Sequence, residues 1–170
     1  MSRGFVKEGD QEEIPMVPPR AHLPNGIENY VTEKGLLALL KEKESLIKER
    51  DSYKQDMKNS GAEADIRVTR NFINAKIDLL DERIKTAKVI KSSEQTQDQI
   101  AFSAKVKLRM SGRAPITIHI TGVDEADFSK GNIAFISPLA KALIGMKKGD
   151  KKEIELPNGK QNIEIIDIQY

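Results

Sequence analysis

The stretch that decides the fold runs over residues 32–58, TEKGLLALLKEKESLIKERDSYKQDMK. Its apolar residues recur every seven positions, and charged residues fill most of the positions between them. The sets that step by seven are Leu39, Leu46 and Tyr53; Leu40, Ile47 and Lys54; and Leu36, Lys43, Arg50 and Met57. A repeat of seven is typical of a helix that packs along one narrow seam. The stretch therefore predicts a long helix, with Thr32 as its N-cap.

A second stretch with the same period follows over residues 63–91. Its apolar residues are Ile66, Ile73, Leu80 and Ala87, which step by seven, with Ile77 and Ile84 between them. Ser60-Gly61 interrupts the helix, because Gly adds backbone freedom and Ser competes for backbone hydrogen bonds. Two seams joined by a short polar turn predict an antiparallel helical hairpin, a two-helix coiled coil. Each arm has about 27 residues and is about 40 Å long.

The period changes from seven to two after a polar linker over residues 92–99. From Ile100 to Met110 every second residue is apolar, and the same alternation continues over residues 116–121. Alternation of this kind predicts strands with one buried face. His119 shares its face with threonines, so we expect a solvent-facing strand histidine and not a metal ligand or a base.

A short helix is predicted over residues 138–144, after a buried strand at 133–136. Ser137 has the side chain of an N-cap, Pro138 suits the first helical position, and Gly145 suits the C′ position. These three residues give the predicted helix both of its ends.

The chain ends in a predicted β-hairpin, with strands over 153–156 and 161–169. Asn158-Gly159 between them is typical of a tight hairpin turn. The fold class is therefore α+β, with a helical hairpin over 32–91 and an antiparallel β domain over 100–170 that carries one short helix. Three aromatic side chains are expected in the core of this domain: Phe102, Phe128 and Phe135.

Residues 1–31 hold four of the seven prolines, interleaved with acidic residues. A segment of this composition buries too little apolar surface to order itself. We therefore expect a flexible N-terminal extension, or alternatively a segment that docks onto a partner.

The composition excludes several classes of function. With no Cys and only two His among 170 residues, the chain cannot form a disulfide scaffold, a cysteine-ligated metal site or a thiol nucleophile. Its net charge of +2 does not by itself indicate nucleic-acid binding. No run of about 18 apolar residues is present, so we expect no membrane span. Since the start also lacks the apolar core of a secretion signal, we expect a cytoplasmic protein.

The polar turn of the hairpin is where chemistry is expected, because side chains leave the seam there. Asp56, Glu63 and Asp65 place three carboxylates within ten residues. Such carboxylates could help to hold a divalent cation whose remaining ligands come from a partner. The alternative is that all three are ordinary solvated turn residues.

Ordered motifs along the chain resemble the Gre family of bacterial transcription elongation factors. Residues 122–128, GVDEADF, resemble the family's G-x-DEAD-F segment. Residues 136–145, ISPLAKALIG, resemble its SP-(L/I)-A-(R/K)-x-L-(I/L)-G segment, and residues 29–35, NYVTEKG, resemble the approach to its first helix. The resemblance extends over residues 29–170, and the start, MSRGFVKE, is closer to the GreB-like branch.

This resemblance implies a fold and a function. Members of the family have an N-terminal antiparallel coiled coil and a C-terminal FKBP-like domain. They bind RNA polymerase, and the coiled coil enters the secondary channel of the polymerase. Tip carboxylates then help to hold a second Mg²⁺ at the active site of the polymerase, which hydrolyses backtracked RNA near its 3′ end. We therefore expect a monomer that is not itself an enzyme and has no cofactor of its own.

The resemblance points to Glu63 and Asp65 as the catalytic and metal-holding residues, with Asp56 as the third carboxylate. The family's tip resembles D-x-x-(S/K)-E-N-A-(D/E)-Y, and an ungapped comparison from Asp56 leaves no acidic residue at its Glu. A gapped comparison places Glu63 there and Asp65 on the later acidic position, with Ile66 in place of Tyr. We favour the gapped comparison, because the bend lies just before Glu63. The departure leaves an alternative function, a channel-binding regulator or inhibitor of the polymerase that does not stimulate cleavage.

Two further sets of residues are implied by the resemblance. Ser137, Pro138 and Leu139 would lie on the surface that docks onto the polymerase. The basic residues nearest the tip would contact RNA phosphates: Arg50, Lys54, Lys58, Arg67 and Arg70.

An FKBP-like fold also invites a function from another class, prolyl isomerisation. Such a pocket needs an aromatic lining, and residues 100–170 contain only the three Phe named above and Tyr170. Since a fold does not confer a function, we rank this alternative below the two polymerase-binding functions.

Overall fold

The computed structural model of the protein describes residues 16–56, 63–157 and 159–170. These residues form a helical hairpin, followed by a five-stranded β-sheet with one short helix packed against it. The predicted α+β fold class, a hairpin and then a β domain, is therefore confirmed. None of the described helices is long and apolar enough to cross a membrane.

Two helices form the hairpin: α1 (Glu33–Asp56) and α2 (Glu63–Lys85). The predicted turn at Ser60-Gly61 lies outside the described residues. The buried residues of the seven-residue pattern are Leu39, Ile66, Ile73, Ile77 and Leu80. Each such side chain contributes about 1.5–3 kcal/mol when it is buried, so the seam holds the two arms together.

The repeat predicts Leu40 in the seam, but the structure leaves it 43% exposed. Leu39, one residue earlier, is only 4% exposed. Successive residues on a helix are about 100° apart, so both leucines cannot face the same partner.

A two-stranded parallel ladder closes the base of the hairpin, where the sequence predicts flexible chain and continuous helix. In this ladder β1 (Asn29–Val31) pairs with β2 (Ala87–Val89). The Asn29 side-chain amide donates to the carbonyl of Arg83 at 2.8 Å and to the hydroxyl of Thr86 at 3.2 Å. Because these bonds satisfy groups at the end of α2, the helix stops at Lys85 and does not extend to residue 91.

The β-sheet has the strand order β5-β4-β3-β7-β6. Its strands are β3 (Lys105–Met110), β4 (Ile116–Thr121), β5 (Asn132–Ala134), β6 (Lys151–Leu156) and β7 (Gly159–Gln169). Neighbouring strands are antiparallel except for β4 and β5, which are parallel. The prediction of an antiparallel sheet is wrong for this pair, because the chain crosses over through residues 122–131 and does not turn back in a tight hairpin.

β3 is shorter than the strand predicted from Ile100. The chain bends before β3 at Ser103, which has a φ of +70°. The N–H of Ile100 donates to the carbonyl of Met146 at 2.8 Å and does not pair with a sheet neighbour. Phe102 and Ala104 are nevertheless buried, so the alternation predicts burial correctly and the start of the strand wrongly.

The short helix α3 (Pro138–Leu143) begins as predicted and ends one residue earlier than predicted. The Ser137 hydroxyl oxygen accepts a hydrogen bond from the N–H of Ala140 at 3.2 Å, and Gly145 has a φ of +88°. Ala140 and Leu143 are 0% exposed and pack into the sheet. The core that they join contains Ile100, Ala104, Val106, Leu108, Ile118, Ile120, Ile133, Met146, Ile154, Ile163 and Ile165.

Candidate functional site at the hairpin tip

Two of the predicted carboxylates lie together at the start of α2. Glu63 and Asp65 both belong to the first turn of this helix, and both residues are exposed. The seam begins at the next residue, because Ile66 is only 8% exposed. The two carboxylates therefore lie outside the apolar contact between the arms, where another molecule can reach them.

The third predicted carboxylate belongs to the other arm. Asp56 is the last residue of α1, so its backbone lies at the same end of the hairpin as the start of α2. Its side chain lies outside the described part of the structure. The N-terminus of α2 carries a partial positive charge, which favours the negative side chains of Glu63 and Asp65 by about 0.3–1 kcal/mol each.

The carboxylates that the structure describes at the tip are those of Glu63 and Asp65. Among the residues described, no group of three or more acidic or histidine side chains could hold a metal ion. Proteins commonly hold Mg²⁺ through one or two carboxylates, while substrate phosphates and water supply the other ligands. Glu63 and Asp65 can provide that share of the ligands.

The basic residues predicted to contact RNA differ in their surroundings. The Arg50 guanidinium contacts the hairpin itself, since its Nε donates to Asp51 Oδ1 at 3.2 Å and its Nη1 to Asn74 Oδ1 at 3.5 Å. Arg67 is exposed and Arg70 is half-buried, both on α2. Two members of the set lie outside the described structure: the side chain of Lys54, and Lys58. Of the three described arginines, Arg67 is thus the most accessible to a phosphate.

The predicted docking residues begin α3. Ser137 caps the helix, Pro138 is exposed, and Leu139 is half-buried against the core. At the other end of the helix, Ile144 is 43% exposed. The apolar surface that α3 offers to a partner therefore includes Pro138 and Ile144.

Glu125, which belongs to the motif GVDEADF, joins the β domain to the first turn of α1. Its Oε1 accepts from the N–H of Thr32 at 2.9 Å and from the N–H of Gly122 at 3.2 Å, and its Oε2 accepts from the Thr32 hydroxyl. Thr32 Oγ1 accepts in turn from the N–H of Gly35 at 3.0 Å, which confirms Thr32 as the N-cap. The bonds place a carboxylate at the positive end of α1.

The Glu125 carboxylate fits at this point because residue 35 has no side chain. A Cβ atom on Gly35 would lie 2.1 Å from Glu125 Cδ, and one on Gly122 would lie 2.6 Å from the carbonyl oxygen of Tyr30. Both glycines belong to the motifs NYVTEKG and GVDEADF. The signal was thus present in the sequence, although the sequence does not show which residue each glycine makes room for.

Asp124 forms ion pairs with two arginines that come from outside the β domain, and it accepts a hydrogen bond from one of them, Arg20. Arg20 Nε lies 3.0 Å from Oδ1, and Arg83 Nε lies 3.1 Å from Oδ2, an ion pair without hydrogen-bond geometry. Arg20 also donates to both carboxylate oxygens of Glu42 on α1, at 2.8 and 3.1 Å. The hydrogen bond to Glu42 is the main cause that raises the pKa of Arg20. Arg20 is therefore bound by two parts of the molecule, although the sequence predicts a flexible segment at this position.

The side chain of Asp127, the third carboxylate of the same motif, bonds only to residues of its own loop among those that the structure describes. It accepts from the N–H of Ser129 at 3.1 Å and pairs with Lys130 Nζ at 2.8 Å. These contacts, with Lys130 first, lower the pKa of Asp127 to about 2. The motif thus contains two residues that join the hairpin to the β domain and one that shapes a turn.

Three aromatic rings pack between the base of the hairpin and the β domain. The ring centroid of Tyr30 lies 5.8 Å from that of Phe102 and 5.5 Å from that of Phe135, and the two Phe centroids are 5.7 Å apart. Phe128 is not in the core as predicted, because it is 83% exposed. A single turn of 3₁₀ helix, capped by Asp127, begins at Phe128, and this turn leaves its ring on the surface.

The alternation predicts that His119 faces solvent, but the structure shows it half-buried. It lies in a cleft of about 240 Å³ between the base of the hairpin and the sheet. Described residues that line the cleft include Thr32, Lys34, Ser103, Lys105 and Tyr170. Burial is the main cause that lowers the pKa of His119, with a further contribution from Lys105 and an opposing one from Glu125.

The lowered pKa of His119 predicts a pH-dependent stability. An unfolded histidine titrates near pH 6.5, so between that pH and the lower pKa of the folded state the unfolded chain binds more protons. The free energy of unfolding is therefore expected to fall as the pH drops through 6.5. Urea unfolding between pH 8 and pH 5 should show this fall in the wild-type chain and a smaller one in His119→Gln. Parallel pH profiles of the two proteins would contradict the prediction.

A family model described as the C-terminal part of transcription elongation factors GreA and GreB matches residues 95–170. The chain is 37% identical over 132 residues to transcription elongation factor GreA of Helicobacter pylori, a match that covers 76% of this chain and 80% of that protein. It is 32% identical over 151 residues to GreA of Syntrophotalea carbinolica, covering 82% of this chain and 96% of that protein.

Solved structures of similar proteins were also found. GreA factor homolog 1 of Thermus thermophilus is 23% identical, with 85% of this chain and 100% of that chain covered and a TM-score of 0.38. A GreA/GreB elongation factor from Nitrosomonas europaea is 18% identical, with 83% and 98% covered and a TM-score of 0.39. The predicted closeness to the GreB-like branch stays a prediction, since the curated relatives named above are GreA proteins. The chain is 37% and 32% identical to the two GreA proteins of Helicobacter pylori and Syntrophotalea carbinolica, and it spans 80% and 96% of their lengths. It therefore belongs to the GreA/GreB family of transcription elongation factors.

Proposed function

We propose that this chain binds RNA polymerase, inserts its helical hairpin into the secondary channel, and stimulates the polymerase to cleave backtracked RNA. The observation that carries the proposal is the pair of exposed carboxylates, Glu63 and Asp65, in the first turn of α2. They lie at the end of the hairpin opposite its base ladder, about 35 Å away along a helix of 23 residues. Gre-family factors act with RNA polymerase, and a long arm with acidic groups at its end suits a distant active site.

The proposed contribution of the tip is electrostatic. When bound, a second Mg²⁺ supplies Lewis-acid chemistry at the RNA phosphodiester. Glu63 and Asp65 would hold that ion jointly with the polymerase, and one of the tip carboxylates would orient the attacking water or accept its proton. Attraction between a carboxylate and a cation about 4 Å away is several-fold stronger in a partly dry channel than in bulk water.

Other parts of the molecule have supporting roles in this proposal. The start of α3, with Ser137, Pro138 and Leu139, would dock onto the polymerase. Arg67 and the other basic residues near the tip would contact phosphates of the RNA 3′ segment independently of its sequence. The chain would act as a cytoplasmic monomer, with no catalytic activity and no cofactor of its own.

A second candidate function is regulation of the polymerase without cleavage. Ile66 stands where the family pattern has Tyr, and it is buried in the seam at 8% exposure. No aromatic side chain therefore accompanies Asp65 at that position. A factor with such a tip could still enter the channel and slow synthesis.

The two functions are separated by adding the chain to backtracked elongation complexes of its cognate polymerase in the presence of Mg²⁺. The proposed function predicts release of short 3′ RNA fragments and renewed elongation. The control is the polymerase alone, because its intrinsic cleavage sets the background. Binding that slows synthesis without shortening the RNA would exclude the proposed function and favour the regulator.

A further inference from the structure

The contact between the hairpin and the β domain includes a closed set of charged groups. Arg20 joins α1 to the β domain, since it binds both oxygens of Glu42 and one oxygen of Asp124. Arg83 joins α2 to the same aspartate at 3.1 Å, and its Nη2 donates to the carbonyl of Ala21. Arg83 is thus tied to Asp124 directly, and α1 is tied to it through Arg20, which is held by α1 and the β domain.

Three of the four groups are largely withdrawn from water. The exposed fractions of the side chains are 19% for Arg20, 12% for Arg83 and 6% for Asp124, whereas Glu42 is 45% exposed. Two guanidinium groups face the two carboxylates of Asp124 and Glu42, so the set is electrically balanced. Removing one member of such a set leaves a buried charge without its partner, which costs more than losing an exposed ion pair.

Because these charged groups lie near the base of the hairpin, a small change in their geometry would move the tip by a large distance. Glu42 lies in the third turn of α1, and Arg83 lies in the last turn of α2, so the contacts act near the base. α1 has 24 residues and is about 36 Å long. A change of about 10° in the angle between the hairpin and the β domain would move its far end by about 6 Å, given that length. An error of about 1 Å at a reacting centre can cost about 100-fold in rate.

We propose that Arg20 is a positioning residue, which fixes the angle of the hairpin on the β domain and thereby the place of the tip carboxylates in the polymerase. The inference rests on the proposed function. Among the described residues, Arg20 bonds to Glu42 and Asp124 and to none of the docking or tip residues, so its role is separable from docking and from chemistry. Its guanidinium suits the task, because its planar fork binds one carboxylate at two points and still offers Nε to a second.

The angle can be measured directly, because the chain contains no Cys. Spin labels on Ser45→Cys in α1 and Ser111→Cys in the β domain, both exposed positions, report the distance between the two units. We expect one narrow distance distribution for the otherwise wild-type chain and a broader one for Arg20→Ala. Arg20→Lys keeps the charge but loses the fork, and we expect it to restore the narrow distribution only in part.

The second measurement is transcript cleavage as a function of factor concentration. Arg20→Ala is expected to lower the rate at saturating factor about 10-fold. This loss is smaller than the cost of a fixed misplacement, about 100-fold, because a broadened distribution still includes the wild-type angle. The half-saturating concentration should change by less than about twofold, because the docking surface is intact. Arg109→Ala is the matched control. It removes an arginine of β3 that pairs at 3.3 Å with Glu164 of the neighbouring strand β7, so it breaks an ion pair within the β domain alone. This control should change neither the distance distribution nor the rate.

The inference is overturned if Arg20→Ala leaves the distance distribution as narrow as in the wild type, or if it weakens binding and leaves the saturated rate unchanged. Circular dichroism of each variant separates these outcomes from a general loss of fold. If the wild-type chain stimulates no cleavage at all, the proposed function fails, and the distance distributions alone then decide whether Arg20 fixes the angle.

Discussion

Replacing Glu63 with Gln and Asp65 with Asn in one chain is expected to lower the stimulated rate of transcript cleavage about 100-fold, the lower end of what a positioned acid or base contributes. Both substitutions keep the size of the side chain, remove its negative charge and replace one acceptor oxygen with an NH2 group. Since both residues are exposed on the first turn of α2, the hairpin should fold as before. The measurement is the rate of 3′ shortening in backtracked complexes at saturating factor.

The matched control for this prediction is Asp78→Asn. Asp78 is also an exposed carboxylate of α2, but it lies 13 positions after Asp65, close to the base of the hairpin. It should leave the cleavage rate unchanged. If both the tip variant and the control retain the full rate, the tip carboxylates do not act on the metal.

Single substitutions then decide between the two comparisons of the tip with the family motif. The gapped comparison predicts that Glu63→Gln and Asp65→Asn each cause most of the loss. The ungapped comparison predicts that Asp56→Asn has the larger effect, because Asp56 then takes the first acidic position of the motif. Equal and small effects of all three would favour the non-cleaving regulator.

The features predicted correctly from the sequence are those with a local cause. The seam of the hairpin follows from residues seven apart, and Ile73 and Leu80 are accordingly 1% and 0% exposed. The N-cap of α3 needs only Ser137 and a backbone N–H three residues later. Alternation identified the buried positions Ile118 and Ile120 in the same way.

The features that the sequence did not predict depend on residues far apart in the chain. The bond from Thr32 to Glu125 spans 93 positions, and the bond from Arg20 to Asp124 spans 104. No periodic pattern relates such residues, so Arg20 looked like part of a proline-rich extension. His119 was misplaced for a related reason, because alternation identifies the face of a strand but not the hairpin base that packs over it.

Replacing Gly35 with Ala is expected to destabilise the protein, although Ala is the better helix former by about 1 kcal/mol. The new Cβ would lie 2.1 Å from Cδ of Glu125, so the carboxylate must leave. Glu125 then loses its bonds from the Thr32 N–H, the Thr32 hydroxyl and the Gly122 N–H. Hydrogen bonds to a charged group contribute about 1.5–3 kcal/mol each and are not additive, so we expect a loss of about 3 kcal/mol from the set.

The net effect of Gly35→Ala should therefore be about 2 kcal/mol of destabilisation, the loss of about 3 offset by a gain of about 1 in helix propensity. In a Glu125→Ala background the clash is gone, and the same substitution should instead stabilise the chain by about 1 kcal/mol. The sign of the effect thus reverses between the two backgrounds.

The double-mutant cycle measures this reversal as a coupling of about 3 kcal/mol between residues 90 positions apart in sequence. Urea unfolding followed by circular dichroism of the wild type, both single variants and the double variant supplies the four free energies. A coupling below about 0.5 kcal/mol, the range seen for independent sites, would mean that Glu125 can move aside without loss. In that case the absence of a side chain at Gly35 would not be what lets Glu125 bind the first turn of α1.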